Sequence, residues 1–380
     1  MDKLILTGAR VFDGTAFHEN HAIVLEQGRI SALCPIAEMP EGEVVEFPGG
    51  TLAPGLVDLQ VNGGGGVMLD GYATFETIST ICAAHADLGA TTILPTLITD
   101  TRAATQTVLA AGIAAVTRVP GFGGLHLEGP HLDPKRPGCH PPGCIRPLDE
   151  EDIETLLEAK TGLPALIMTL SPANATPEQI ARLSEAGIVV SLGHSECSFA
   201  EAQEAIAAGA RMVTHLFNAM SQLGSREPGL VGAALSQPVS VGLIADGIHV
   251  HPETIRLALA AKRQGEVFLV SDAMACAGSD LMEFDLAGRR ILRRDGALRL
   301  EDGTLAGADL SLPQAVRFMI ETVGVSPEQA LAMASRIPAE AIGAPVGRIA
   351  PGFAGDLVHF DDDWRLTEVW QGGQAKSSTA

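Results

Sequence analysis

Three side chains that could hold a metal ion stand at the ends of apolar runs. Gly121–Leu127 leads into Glu128 and a Gly-Pro pair, Val189–Gly193 into His194, and Arg211–Thr214 into His215. An apolar run that stops at turn residues reads as a buried parallel strand. One carboxylate and two imidazoles at three strand tips predict a three-ligand divalent-metal site with a position left for water. Such an ion lowers the pKa of a bound water toward neutrality and polarises a carbonyl, which points to hydrolysis. Hydrolysis also needs a proton carrier. Asp272, in Val-Ser-Asp-Ala, ends the last apolar run and is placed to take a proton and return it. His249, in Ala-Asp-Gly-Ile-His, can donate to a developing oxyanion. Arg226 suits a phosphate or carboxylate through two parallel hydrogen bonds, and Asn218 with the backbone at Ala219 is a second candidate for the same anion.

These residues need a scaffold that brings strand ends together. From Leu52 onward apolar strands alternate with helix-like stretches: strands at 52–61, 91–97, 121–127, 165–170, 189–193, 211–214, 239–245 and 267–271, with helices at 74–88, 101–117, 149–160, 177–186, 199–208 and 253–264 between them. Gly89, Gly187, Gly209 and Gly265 stand where those helices must stop. Eight strands in βα alternation predict a closed (β/α)8 barrel, an α/β fold whose functional residues sit at the carboxyl ends of the strands. Residues 1–51 instead read as short strands with tight turns, as does 345–380, and the two flanks are expected to form one small β-sandwich domain. The catalytic barrel spans 52–344, interrupted by a β insertion near 283–306 and followed by helices at 311–323 and 327–335. The tail 376–380 is expected to be disordered.

Composition narrows the function classes. The 380 residues are 46% hydrophobic and carry a net charge of −21, which argues against nucleic-acid or anionic-membrane partners. No apolar run has the length of a membrane span. Arg10 comes too early for a signal peptide, and six scattered cysteines suit a reducing compartment, so the expected location is the cytoplasm. Three further features read as structural. Cys139, His140 and Cys144 lack metal-ligand spacing, Gly63–Gly66 has no Lys-Ser/Thr to make a P-loop, and His85 sits inside a helical pattern.

Seven motifs in order, APGLVDLQVNG (53–63), HLEGPH (126–131), LGHS (192–195), THLFNAM (214–220), REPG (226–229), ADGIHV (245–250) and VSDA (270–273), resemble the N-acetylglucosamine-6-phosphate deacetylases of the amidohydrolase superfamily. The resemblance implies one divalent metal per subunit, zinc before iron, cobalt or manganese, held by Glu128, His194 and His215. It implies Asp272 as acid/base, His249 as the group polarising the acetamide carbonyl, and His140, Asn218, Ala219 and Arg226 on the sugar phosphate, the arginine reaching across a homodimer. Where many amidohydrolases have His-x-His, this chain has Gln60-Val61-Asn62. That resembles single-metal members, and Gln60 and Asn62 join the residues expected to contact substrate. The implied reaction gives glucosamine 6-phosphate and acetate. The alternatives are the galactosamine epimer, another N-acyl substrate, or a non-catalytic scaffold, against which the intact set of Glu128, His194, His215 and Asp272 speaks. The segment Ser221–Ser225 lacks the Pro and His of some relatives, leaving the sugar preference open.

Overall fold

The computed structural model describes residues 3–376. Eight strands lie side by side in sequence order: Leu56–Val61, Ala90–Ile98, Leu125–Glu128, Leu166–Leu170, Val189–Leu192, Met212–Val213, Ser240–Leu243 and Val267–Leu269. Neighbours pair in parallel, and nearly every strand residue is buried, as expected when helices cover one face and side chains fill the other. The first and last strands meet across a seam. There Asp272 N donates to Gln60 O at 3.0 Å and Asn62 N to Ala273 O at 2.8 Å, and Val61 bridges Ala273.

The covering helices start where side chains can accept their first free N–H groups. Thr74, Asp149, Thr176 and Ser198 each form a reciprocal capping box. Gly89 and Gly187 follow helix ends with φ of 91° and 81°, a region glycine enters without the Cβ clash that other residues meet.

Four sequence readings are corrected. The strand expected across 52–61 is two strands. Thr51–Pro54 pairs with Leu357–Phe360 and with Arg10–Phe12 outside the barrel, and Leu56–Val61 begins the barrel. A helix at Gly229–Ser236 was missed because Gly229 to Leu235 are all buried, so no polar face marks a helical period. A further helix at Arg336–Ile342 follows Pro327–Ala334 almost without a break. The insertion has four strands, the fourth being Leu305–Ala308, whose Leu-Ala-Gly-Ala sequence carries no β-branched residue to signal it.

Both flanks of the barrel meet. A four-stranded sheet, Leu4–Thr7 with His21–Glu26, Arg29–Pro35 and Glu43–Glu46, packs against a six-stranded sheet that includes Thr51–Pro54, Leu357–Phe360 and Leu366–Gln371. Leu6, Ile23, Leu52, Leu357 and Trp370 form the core between them. Lys376 is anchored: its N donates to Val369 O at 2.8 Å and its Nζ lies 2.7 Å from Asp87. The rest of the tail, 377–380, lies outside the described residues.

Candidate active site and metal centre

Glu128 ends the third barrel strand, immediately before a cis Gly129–Pro130 bond. His194 and His215 lie two residues beyond their strands, in the left-handed region with φ of 44° and 27°, and Asp272 follows the last strand at φ 51°. Non-glycine residues pay a steric penalty there and hold such angles only when the surroundings fix them.

His194 Nδ1 lies 2.9 Å from the Arg136 carbonyl oxygen. A carbonyl only accepts, so Nδ1 carries the proton and Nε2 the lone pair. That Nε2 is 3.1 Å from His215 Nε2 and 3.3 Å from Glu128 Oε1, and His215 Nε2 is 2.9 Å from the same oxygen. Ligands around a tetrahedral ion at about 2.0–2.1 Å stand roughly 3.3–3.4 Å apart. The three donors therefore fit one ion. His215 Nδ1 is buried without a partner among the described residues. Burial alone would raise the Glu128 carboxyl, but the His194 and His215 rings set against it hold it well below the usual carboxylate range.

Asp272 borders this triad. Asn62 Nδ2 donates to its Oδ1 at 2.7 Å, and Gln60 Nε2 lies 3.2 Å from the same atom and 3.1 Å from Glu128 Oε1. Burial first, then the nearby Glu128 charge, push the Asp272 carboxyl up to about 6, against the opposing pull of His215, Asn62 and His249. Gln60 was expected to touch substrate. It is buried, does not line the cavity, and its amide is engaged by two carboxylates, so here it braces the site.

A cavity of about 570 Å³ opens above these groups. Glu128, His194, His215, Asp272, His249, His140, Asn62, Asn218 and Ala219 all line it. His140 accepts from Thr99 N through Nδ1 at 3.2 Å, and its Nε2 lies 3.8 Å from Glu128. Phe217 and Ala219 have φ of 76° and 49° on either side of Asn218, whose backbone N–H is donated to His215 O at 3.0 Å. Arg226 does not line the cavity of its own chain. It is exposed on the loop 222–227, near an exposed Leu223, and has no ion-pair partner among the described residues.

Sequence reasoning missed Asp246. Its carboxylate is 2.5 Å from His249 Nδ1 and also accepts from the Ile248 and His249 backbone N–H groups. Burial would raise that carboxyl, but the His249 contacts hold it below its ordinary value. The Asp-Gly pair before His249 was the available signal, since Asp commonly accepts from N–H groups two and three residues on. The basic residues Lys135, Arg136 and Arg299 also face the cavity unannounced. Of the features read as structural, His85 is buried and bonds Gly63 O at 2.9 Å, and the glycines pair in a hairpin, Gly63–Gly64 with Val67–Met68.

Comparison with known proteins agrees with this architecture. The N-acetylgalactosamine-6-phosphate deacetylase of Shewanella sp. (strain ANA-3) is 41% identical over 98% of this chain and 95% of its own length. The crystal structure of N-acetylglucosamine-6-phosphate deacetylase from Pasteurella multocida superposes with a TM-score of 0.94 at 32% identity, covering 98% of this chain and 99% of that one. A Mycobacterium smegmatis mutant enzyme in complex with N-acetyl-D-glucosamine-6-phosphate superposes at 0.92 with 30% identity and 99% coverage of both chains. Residues 5–45 match the NagA composite domain and residues 51–377 match the Amidohydrolase family. With a family match over most of its length and full-length relatives above 30% identity, the chain belongs to the amidohydrolase family.

Proposed function

We propose that this chain hydrolyses the acetamide of N-acetylglucosamine 6-phosphate to glucosamine 6-phosphate and acetate. The observation that carries this reading is the meeting, in one cavity, of a three-donor metal site, an adjacent buried carboxylate and an aspartate-held histidine. A divalent ion held by Glu128, His194 and His215 would supply Lewis acidity and an activated water. Asp272 takes the proton released as the acetamide carbon is attacked and returns it to the departing nitrogen. Asn62 fixes the carboxylate for both transfers. Asp246 holds the His249 ring through Nδ1, so that its Nε2 side is presented to the carbonyl oxygen. Asn218 and Ala219 take the phosphate, and His140 contacts the sugar.

The metal is read as one zinc per subunit, because imidazole with carboxylate suits zinc and the chain offers one three-ligand cluster among its described residues. The active form is read as a cytoplasmic homodimer in which Arg226 serves the partner's cavity, a reading supported by its exposure and lack of an ion pair. Both flanks form a small β domain beside the catalytic barrel, supported by their shared core.

The galactosamine epimer is the second reading, favoured by the name of the relative at 41% identity. Acetate release from both epimers, each with and without the 6-phosphate, tests the two together. Phosphorylated substrate should react far faster, and equal rates on an unphosphorylated N-acyl amino acid would refute the sugar-phosphate reading. On the same panel, Arg226→Ala should raise KM for the phosphorylated sugar by about one to two decades, since a charged hydrogen bond contributes about 1.5–3 kcal/mol. The unphosphorylated sugar should be unaffected. An equal loss on both would make Arg226 structural.

A further inference from the structure

At the barrel seam a side chain does part of the work of a β-ladder. Asp58 lies on the first barrel strand and is 0% exposed. Its Oδ1 accepts from Ser271 N and from Gln60 N, both at 3.2 Å, and its Oδ2 accepts from Ser271 N at 3.2 Å. Burial pushes this carboxyl up to about 7, helped by the nearby Asp272 charge and opposed by those hydrogen bonds, and it has no ion-pair partner among the described residues. A buried carboxylate without a cation is costly, and an apolar residue would pack there without that cost. What the carboxylate provides is two acceptor oxygens facing two separate segments at once.

Those segments converge on one residue. Ser271 immediately precedes Asp272. Gln60 accepts from Asp272 N through its carbonyl at 3.0 Å, and its amide lies 3.2 Å from Asp272 Oδ1. Asp272 itself sits at φ 51°, an angle that needs fixing from outside. Asp58 does not line the cavity and cannot touch substrate there.

We propose that Asp58 is a positioning residue that clamps the first and last barrel strands together so that the Asp272 carboxylate is held in its catalytic place. The proposal rests on the reading of Asp272 as the proton carrier. Asp58→Asn keeps the shape but turns one acceptor into an N–H donor facing the Ser271 N–H, so the clamp opens on one side.

The test is Asp58→Asn, read by steady-state kinetics, metal stoichiometry and a crystal structure of the metal-loaded variant. We expect kcat to fall roughly 10²-fold, the scale of a 1 Å misplacement in an active site, with KM and metal content near the parent's. The crystal structure should show the Asp272 carboxylate moved off Asn62 Nδ2. Unchanged kcat overturns the proposal, as does a loss in which KM and metal content fail together with kcat, the mark of general unfolding. If the parent releases no acetate from any hexosamine phosphate, the functional reading fails, and the crystal structure still decides the clamp: Asp272 undisplaced refutes it, Asp272 displaced supports it. If Asp58→Asn does not fold, Asp58→Ser, which retains one acceptor, is read by the same measurements.

Discussion

Asp272→Asn should lower turnover by at least the ~10²–10⁴-fold that general acid–base catalysis typically contributes. An amide is a weak electrophile and an amine a poor leaving group, so both halves of the reaction depend on moving one proton. Asn keeps the volume and can still meet Asn62 and Gln60, but it cannot hold the proton between the two steps. Metal content and substrate KM should therefore stay close to the parent values. Acetate release on metal-saturated variant and parent, with elemental analysis of both, checks this. Loss of the metal in the Asn variant would make Asp272 chiefly a ligand. Near-normal turnover would place the base elsewhere.

His194→Ala should abolish turnover by emptying the metal site. With its Nδ1 proton directed at the Arg136 carbonyl, His194 presents a lone pair to the same point as His215 and Glu128. Removing it leaves a carboxylate and one imidazole, too few protein ligands for a tight site. Elemental analysis should fall from about one equivalent to near zero, and chelation of the parent should reproduce the inactivity. Parent protein should also melt lower after chelation, because an ion bound only by the folded state stabilises it by about 2.7 kcal/mol at 100-fold saturation. His194→Ala should show no such difference with and without chelator. Two tightly held ions in the parent, or full metal content in the variant, would contradict the three-ligand site.

Much of this was legible because functional side chains in a βα barrel lie at the carboxyl ends of strands, and buried strands read as apolar runs. Glu128, His194, His215 and Asp272 were found that way, and the alternation around them gave the barrel. What escaped has no periodic trace. The helix at Gly229–Ser236 is buried on all sides. Asp246 and Asp58 act through backbone N–H groups and one ring, contacts fixed by local turns and by the seam. Gln60 was expected to contact substrate from its place on the first barrel strand, yet its amide meets the two carboxylates of this site. The left-handed angles at His194, His215 and Asp272 were equally invisible, because no residue type there asks for them.

The pairing of Thr51–Pro54 with Leu357–Phe360 also imposes a timetable on synthesis. The first strand leaves the ribosome about 300 residues before its partner, and at about 5–20 residues per second the wait lasts roughly 15–60 s. During that time one edge of the strand has no partner, while the barrel can already close around its own seam. An open edge is a template for pairing with another chain. Slow codons in the last fifty positions would thus lower the yield of folded protein without changing the specific activity of the molecules that finish.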